Sequence, residues 1–279
     1  MAGRGSAAVI DAALAAWRFI TELRPRRGAP GVTSSATPGH GSDLHELRAY
    51  VRGDDVRHID HAAWARTDAP VVRVRRAELW PGVDVLVDGT ASMDLPDGHK
   101  GEVVRGLAAF IQRSVRLEGG RSRVVELGQE VLPLEDAAGL RLTGREPPRP
   151  GVVAEQARPG AVCLWLSDFL TSSPPGPVLR ALAARAARLV VVRVLGPWEA
   201  APRPGERLTL LDVETGHERT LLLSDEVVDR YRQRLARIRD ELHTTCVATG
   251  ATFVDVVAEH PLDRLLRDVL YPAGLVEPR

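Results

Sequence analysis

The chain predicts an α/β fold: a doubly wound, mostly parallel sheet, preceded by an Arg- and Asp-rich segment and interrupted late by a small β-hairpin. Three observations predict it. Apolar runs at 83–87 and 161–166 are strand-sized, and the second is continuous enough to be covered on both faces. Between such runs the apolar residues recur every three or four positions, as on a helix. A further run at 189–195 follows one helical pattern after the second, so strand–helix–strand repeats along the chain.

Composition bounds the answer. A chain of 279 residues suffices for one large domain, or one domain with a smaller attachment. The expected boundary separates 1–79 from 80–279. The 37 basic and 37 acidic residues cancel, which argues against a general nucleic-acid binder. Lys100 is the only lysine; every other basic residue is Arg. Two cysteines, Cys163 and Cys246, make no disulfide framework. No apolar run reaches membrane-spanning length and no signal-peptide pattern opens the chain, so the expectation is a cytoplasmic protein without a transmembrane segment.

In chain order, residues 7–23 predict a helix whose face is Ile10, Leu14, Trp17 and Ile20. Residues 25–42 are rich in Gly, Pro, Ser and Thr and read as a linker or surface loop. In 44–77, Arg48, Arg52, Asp54, Asp55, Arg57, Asp60 and Arg66 form either a docking surface or an internal network of Arg–carboxylate pairs. The interleaving of opposite charges favours the network, with Tyr50, Val56, Ile59 and Trp64 as apolar anchors. Residues 71–75 alternate as a strand does.

The first sheet strand, 83–87, leads to an amphipathic helix at 102–116 and a second strand at 123–127. A short strand at 130–132 follows, and then a weakly patterned stretch with a helix at 152–156. After the run at 161–166 come a helix at 178–188 and the strand at 189–195. Residues 207–212 and 218–223 read as a hairpin around Thr215 and Gly216, inserted at the sheet edge (about 205–223). Ser224 caps a long helix with a stripe of Val227, Tyr231, Leu235, Ile238 and Leu242. Residues 252–257 form the last strand, and Pro261 opens a closing helix.

Asp88, Thr90 and Ser92 follow the first sheet strand in a tight loop whose alternate residues can project to one side. A carboxylate and two hydroxyls are hard oxygen donors, which suit Mg²⁺ and leave other divalent cations open. The same residues are also ordinary turn and capping chemistry. Asp168 ends the run at 161–166, and ligands of open α/β sheets gather beyond the carboxyl ends of strands. If the two strands are neighbours, Asp88 and Asp168 face one crevice.

The stretch LRAYVRGDDVRHID at 47–60, followed by Ala65, Arg66 and Thr67, resembles the signature of the bacterial family of unknown function fifty-eight. The resemblance extends over about 41–270. It implies a sheet of the von Willebrand factor A type and an association with AAA+ ATPases of the MoxR type. It also implies a metal-ion-dependent adhesion site of the form Asp-x-Ser-x-Ser. Here Asp88-Gly89-Thr90-Ala91-Ser92 has Thr in place of the first Ser, and Asp168 matches the distant carboxylate. The family's separate Thr is matched least well, by Thr143. The implied function is a non-enzymatic adaptor that works with a MoxR-type ATPase on a client protein, a partner carboxylate completing the shell of a bound Mg²⁺. Two alternatives stand beside it: a structural interaction domain with a degenerate metal loop, and a metal-dependent phosphoester hydrolase. The hydrolase lacks a P-loop, and His58, His61, Ser92 and Ser167 form no triad recognisable from spacing.

Overall fold

The computed structural model describes residues 3–21, 46–51, 59–67, 69–74, 82–95, 99–128, 130–144, 146–171, 173–205, 207–211 and 218–279. The chain forms two compact units, 1–23 with 81–279, and 24–80. The N-terminal elements of the larger unit are α1 (Gly3–Ala16) and β1 (Trp17–Phe19). The smaller unit holds β2 (Glu46–Ala49), α2 (His61–Thr67) and β3 (Val71–Val74). The larger unit resumes with β4 (Val83–Asp88), α3 (His99–Leu117), β5 (Ser122–Leu127), β6 (Val131–Leu134), α4 (Pro150–Gln156), β7 (Val162–Ser167), α5 (Gly176–Arg185) and β8 (Arg188–Leu195). It ends with α6 (Pro197–Ala200), β9 (Arg207–Leu211), β10 (Glu218–Leu222), α7 (Asp225–Thr249), β11 (Thr252–Val257), α8 (Leu262–Leu265) and β12 (Val276–Pro278).

The central sheet has the order β11-β8-β7-β4-β5-β6, parallel throughout except for the β5–β6 hairpin. The runs read as continuous because both faces are covered, yet alternation persists inside them. Val83, Val85 and Val87 of β4 join one core with Val104, Leu107 and Ile111 of α3 and Leu265 of α8. Leu86 joins the opposite core with Val153 of α4, Leu179 and Leu182 of α5, and Leu242 of α7. The order reverses at β4: the chain leaves it toward β5 and returns on its other side as β7. That reversal is the switch point of a doubly wound sheet.

Two expectations in the larger unit are corrected, and the expected hairpin forms. The first helix ends at Ala16, and Trp17–Phe19 pairs with the C-terminal strand, Phe19 opposite Val276. Pairing with a distant strand overrides the helical spacing, and Phe19 and Ile20 are buried. The hairpin of β9 and β10 forms its own two-stranded sheet and does not extend the central one; its turn, Thr215 and Gly216, lies outside the described residues. In α7, Ser224 Oγ accepts from Val227 N as expected, but Val228 is the buried residue and Val227 is exposed. Either valine keeps helical spacing to Leu235, so periodicity alone could not choose.

In the smaller unit, β2 and β3 pair antiparallel with Arg48 opposite Val72. Buried Asp60 starts α2, its Oδ1 accepting from Ala63 N at 2.9 Å. Trp64 is exposed and stacks on His61, so it is not the apolar anchor expected. Arg66 sits exposed in the last turn of α2. Arg52, Asp54, Asp55 and Arg57 lie outside the described residues.

Candidate functional site

β4 and β7 are adjacent and parallel, with Val87 opposite Leu166. Their carboxyl ends therefore bring Asp88 and Ser167 side by side, and Ser167 Oγ donates to Asp88 Oδ2 at 2.7 Å. The following turn is tightly pinned. Phe169 N donates to Ser167 Oγ, and Leu170 N donates to Asp168 Oδ1. Phe169 holds φ 57°, a left-handed conformation that costs a bulky residue about 1 kcal/mol or more. Its ring meets Trp165 edge-on at 4.8 Å, which helps hold it there.

After β4 the chain turns sharply. Thr90 N and Thr90 Oγ1 both donate to Asp88 Oδ1, at 3.0 and 2.8 Å. Thr90 Oγ1 lies 3.0 Å from Ser92 Oγ, which donates to Asp168 Oδ2 at 2.9 Å. The four residues expected to converge, Asp88, Thr90, Ser92 and Asp168, thus form one connected polar cluster. Thr143 is exposed, next to Gly144, which is bridged to the Asp88 loop through Gly144 N to Gly89 O at 2.8 Å and Ala91 N to Gly144 O at 2.8 Å. Glycine is required at this crossing: a Cβ on Gly144 would stand 2.9 Å from Gly89 O, and one on Gly89 would stand 2.7 Å from Glu126 Cγ. Buried Glu126 of β5 fixes the crossing strand, its two oxygens accepting from Leu142 N at 2.8 Å and Arg141 N at 2.9 Å.

Lys100, the second residue of α3, has a fully buried side chain that runs into this cluster. Its Nζ donates to Asp168 Oδ2 at 2.8 Å and lies 3.0 and 2.9 Å from the two oxygens of Glu199 on α6. Glu199 Oε2 also accepts from Gly196 N, which closes the first turn of α6. Tyr231 of α7 donates its hydroxyl to the Glu199 carbonyl at 2.8 Å. The network therefore runs from the sheet rim through α3 to α6 and α7.

Burial sets the electrostatics. The Asp88 carboxyl is pushed above its ordinary range, first by desolvation and then by the charge of Asp168; hydrogen bonds from Ser167 and Thr90 offset part of this. Glu199 is likewise raised by burial, with Lys100 pulling the other way. Burial alone would lower the Lys100 ammonium, but Asp168 and Glu199 together outweigh it and hold it above its usual value. Burial and the same two carboxylates push the Tyr231 hydroxyl up to about 12.

Whether Mg²⁺ fits is decided by these contacts. The donors are hard oxygens of the right chemistry. However, all four carboxylate oxygens of Asp88 and Asp168 already accept from protein donors, and the cation at Asp168 is an ammonium of the chain itself. In this arrangement the four residues do not fit a divalent ion unless Lys100 is displaced. Among the described residues, no three His, Cys, Asp or Glu side chains are grouped as a metal-binding set.

Beside Asp88 opens a cleft of about 210 Å³, lined by Pro148, Arg149, Trp165, Ser167, Phe169 and Pro175 among others. Sequence reasoning missed Lys100, Glu199, Ser167 and Glu126 as members of the site. One signal pointed to the first: 37 Lys and Arg include a single Lys, so 37 − 1 = 36 are Arg.

The strand order and a polar site at a switch point define a doubly wound α/β domain of the von Willebrand factor A-like class. Residues 46–139 match the family described as "Protein of unknown function DUF58". Uncharacterised proteins of Mycobacterium tuberculosis and Mycobacterium bovis are each 28% identical to it over 281 aligned positions, covering 88% of this chain and 85% of theirs. Among solved structures, similarity extends to an aerotolerance-related membrane protein from Bacteroides fragilis, at 12% identity and a TM-score of 0.38, over 70% of this chain and 98% of that one. It extends also to the conserved hypothetical protein BatB from Bacteroides thetaiotaomicron, at 14% identity and a TM-score of 0.31, over 60% and 99% of the two chains. Both scores are low, and the fold assignment rests on the strand order itself. Among the described residues no helix is long and apolar enough to cross a membrane.

Proposed function

We propose that the chain is a non-catalytic adaptor that binds protein partners at the carboxyl-end rim of β4 and β7, acting in the cytoplasm with a MoxR-type AAA+ ATPase on a client protein. One observation carries the location: Asp88, Thr90, Ser92 and Asp168 are gathered at the switch point, beside a cleft, on a rigid scaffold. The ATPase partner is supported by the family resemblance. The hydroxyls argue for binding over hydrolysis. Ser92 Oγ donates to Asp168 and Ser167 Oγ to Asp88, so each faces a carboxylate and neither is paired with an imidazole base. The metal-assisted form of docking requires Lys100 to leave Asp168; the contacts support a rim that works without it.

The test uses the purified chain and the MoxR-type ATPase of the same organism. Thr143→Arg and Arg149→Glu change exposed rim positions, and Arg237→Glu on α7 serves as a control. Binding should fall for the two rim variants at unchanged melting temperature and persist in the control. Full binding by both rim variants overturns the location.

The Arg48–Asp60–Arg66 segment we read as a brace of the smaller unit, supported by Asp60 capping α2. Changing Arg52 and Arg57 together should lower the melting temperature. Lost binding at unchanged melting would make the segment a docking face instead.

A further inference from the structure

The cluster at the carboxyl ends of β4 and β7 contains three buried carboxylates, Asp88, Asp168 and Glu199, and one buried ammonium, Lys100. We infer that Lys100 is the tethered cation of this site: its ammonium joins Asp168 on the sheet to Glu199 on α6 and assembles the rim in place of a divalent metal. The inference is independent of which partner docks there.

Geometry carries it. A lysine that is 0% exposed is held only if its charge is met by well-placed acceptors. Here Nζ reaches Asp168 Oδ2 at 2.8 Å and Glu199 at 2.9 and 3.0 Å, which occupies the donors of an ammonium. Asp168 Oδ2 already takes two donors, Lys100 Nζ and Ser92 Oγ, and Oδ1 takes Leu170 N, so three of the roughly four acceptor sites of this carboxylate are filled. The choice of side chain agrees. In a chain with 36 Arg (37 − 1), the one Lys stands where its compact point charge is shared by two carboxylates. Lys100 and a divalent ion therefore compete for one carboxylate. Removing the ammonium leaves the Asp168 and Glu199 carboxylates facing an uncompensated space, with the Ser92 hydroxyl on Asp168, a set of hard donors with a negative surplus.

Lys100→Met tests this with Mg²⁺ as the probe, by calorimetric titration and by thermal melting with EDTA or with millimolar Mg²⁺. The wild type should show no saturable Mg²⁺ binding and the same melting temperature in both buffers. The variant should melt lower in EDTA, recover with Mg²⁺, and bind the ion at least about ten-fold more tightly, since a unit charge at contact distance has been removed. Equal Mg²⁺ affinity in both proteins, or no Mg²⁺ response in a folded variant, overturns the inference. Should the variant fail to fold in either buffer, the wild type decides. Saturable Mg²⁺ binding that Asp88→Asn abolishes, with Lys100 in place, overturns the inference, and its absence upholds it.

Discussion

Removing the Glu126 carboxylate should loosen the loop that crosses the Asp88 turn, and the size of the effect follows from the contacts. Glu126→Ala deprives the amides of Arg141 and Leu142 of their acceptor. A hydrogen bond to a charged group contributes about 1.5–3 kcal/mol, so losing two costs about 3–6 kcal/mol. Leu142 is held at φ 55°, and letting it relax returns about 1 kcal/mol. The net loss is about 3 kcal/mol. For a unit of this size that lowers the melting temperature by about 6–12 °C. Glu126→Gln keeps one acceptor oxygen and should lose about half as much. Thermal and urea unfolding give the magnitude, and amide hydrogen exchange locates it. Ala91, Leu142 and Gly144 should lose protection together, because their amides make the hydrogen bonds that tie the two loops and hold the crossing one on Glu126. A Glu126→Ala variant within about 0.5 kcal/mol of wild type, the ordinary range for surface changes, would refute the claim that this carboxylate fixes the loop.

Cys163 and Cys246 are buried, and desolvation raises both thiols, that of Cys246 to about 11. A thiol reagent at neutral pH should modify neither in the folded protein and both after denaturation. The raised Asp88 carboxyl has a signed consequence: the native state keeps a proton that the unfolded chain releases near 3.8, so this group's contribution is fully present below that value and lost as pH rises through the native one. Stability measured across this window should fall less steeply in Asp88→Asn than in wild type, and an unchanged slope would contradict the assignment. Deleting residues 275–279 removes β12 together with the buried side chains of Leu275 and Val276. At about 1.5–3 kcal/mol each, their loss should cost on the order of 3–6 kcal/mol in chemical denaturation, whereas a frayed terminus would show no change.

The sheet was legible because its strands carry apolar runs that only a doubly covered layer explains, and the runs at 83–87 and 161–166 landed beside each other as the switch-point argument required. Asp88 and Asp168 were readable for the same reason: each follows such a run. The loop hydroxyls of Thr90 and Ser92 were readable from alternation. What escaped is what chain order cannot encode. Lys100 and Glu199 are 99 residues apart and meet only because the fold brings the start of α3 and α6 to the same carboxylate cluster at Asp168. Glu126 looked like one more strand residue, since nothing local tells that Leu142 will pass over it. Trp17 and Ile20 keep a helical period with Leu14, so their departure from the helix depended on a strand at the far end of the chain. The solitary lysine was visible in the composition, but its meaning lay in its burial.

That solitude also makes the site directly observable. Labelling the lysine side-chain nitrogen with ¹⁵N yields a single ammonium resonance in this protein, because Lys100 is the only lysine. A buried, doubly paired ammonium should show a resolved signal in slow exchange with water, titrating above the ordinary value of 10.5, and shifted when Asp168 or Glu199 is changed to the amide. A signal lost to rapid solvent exchange, or one indifferent to both substitutions, would show that Lys100 does not hold the rim together.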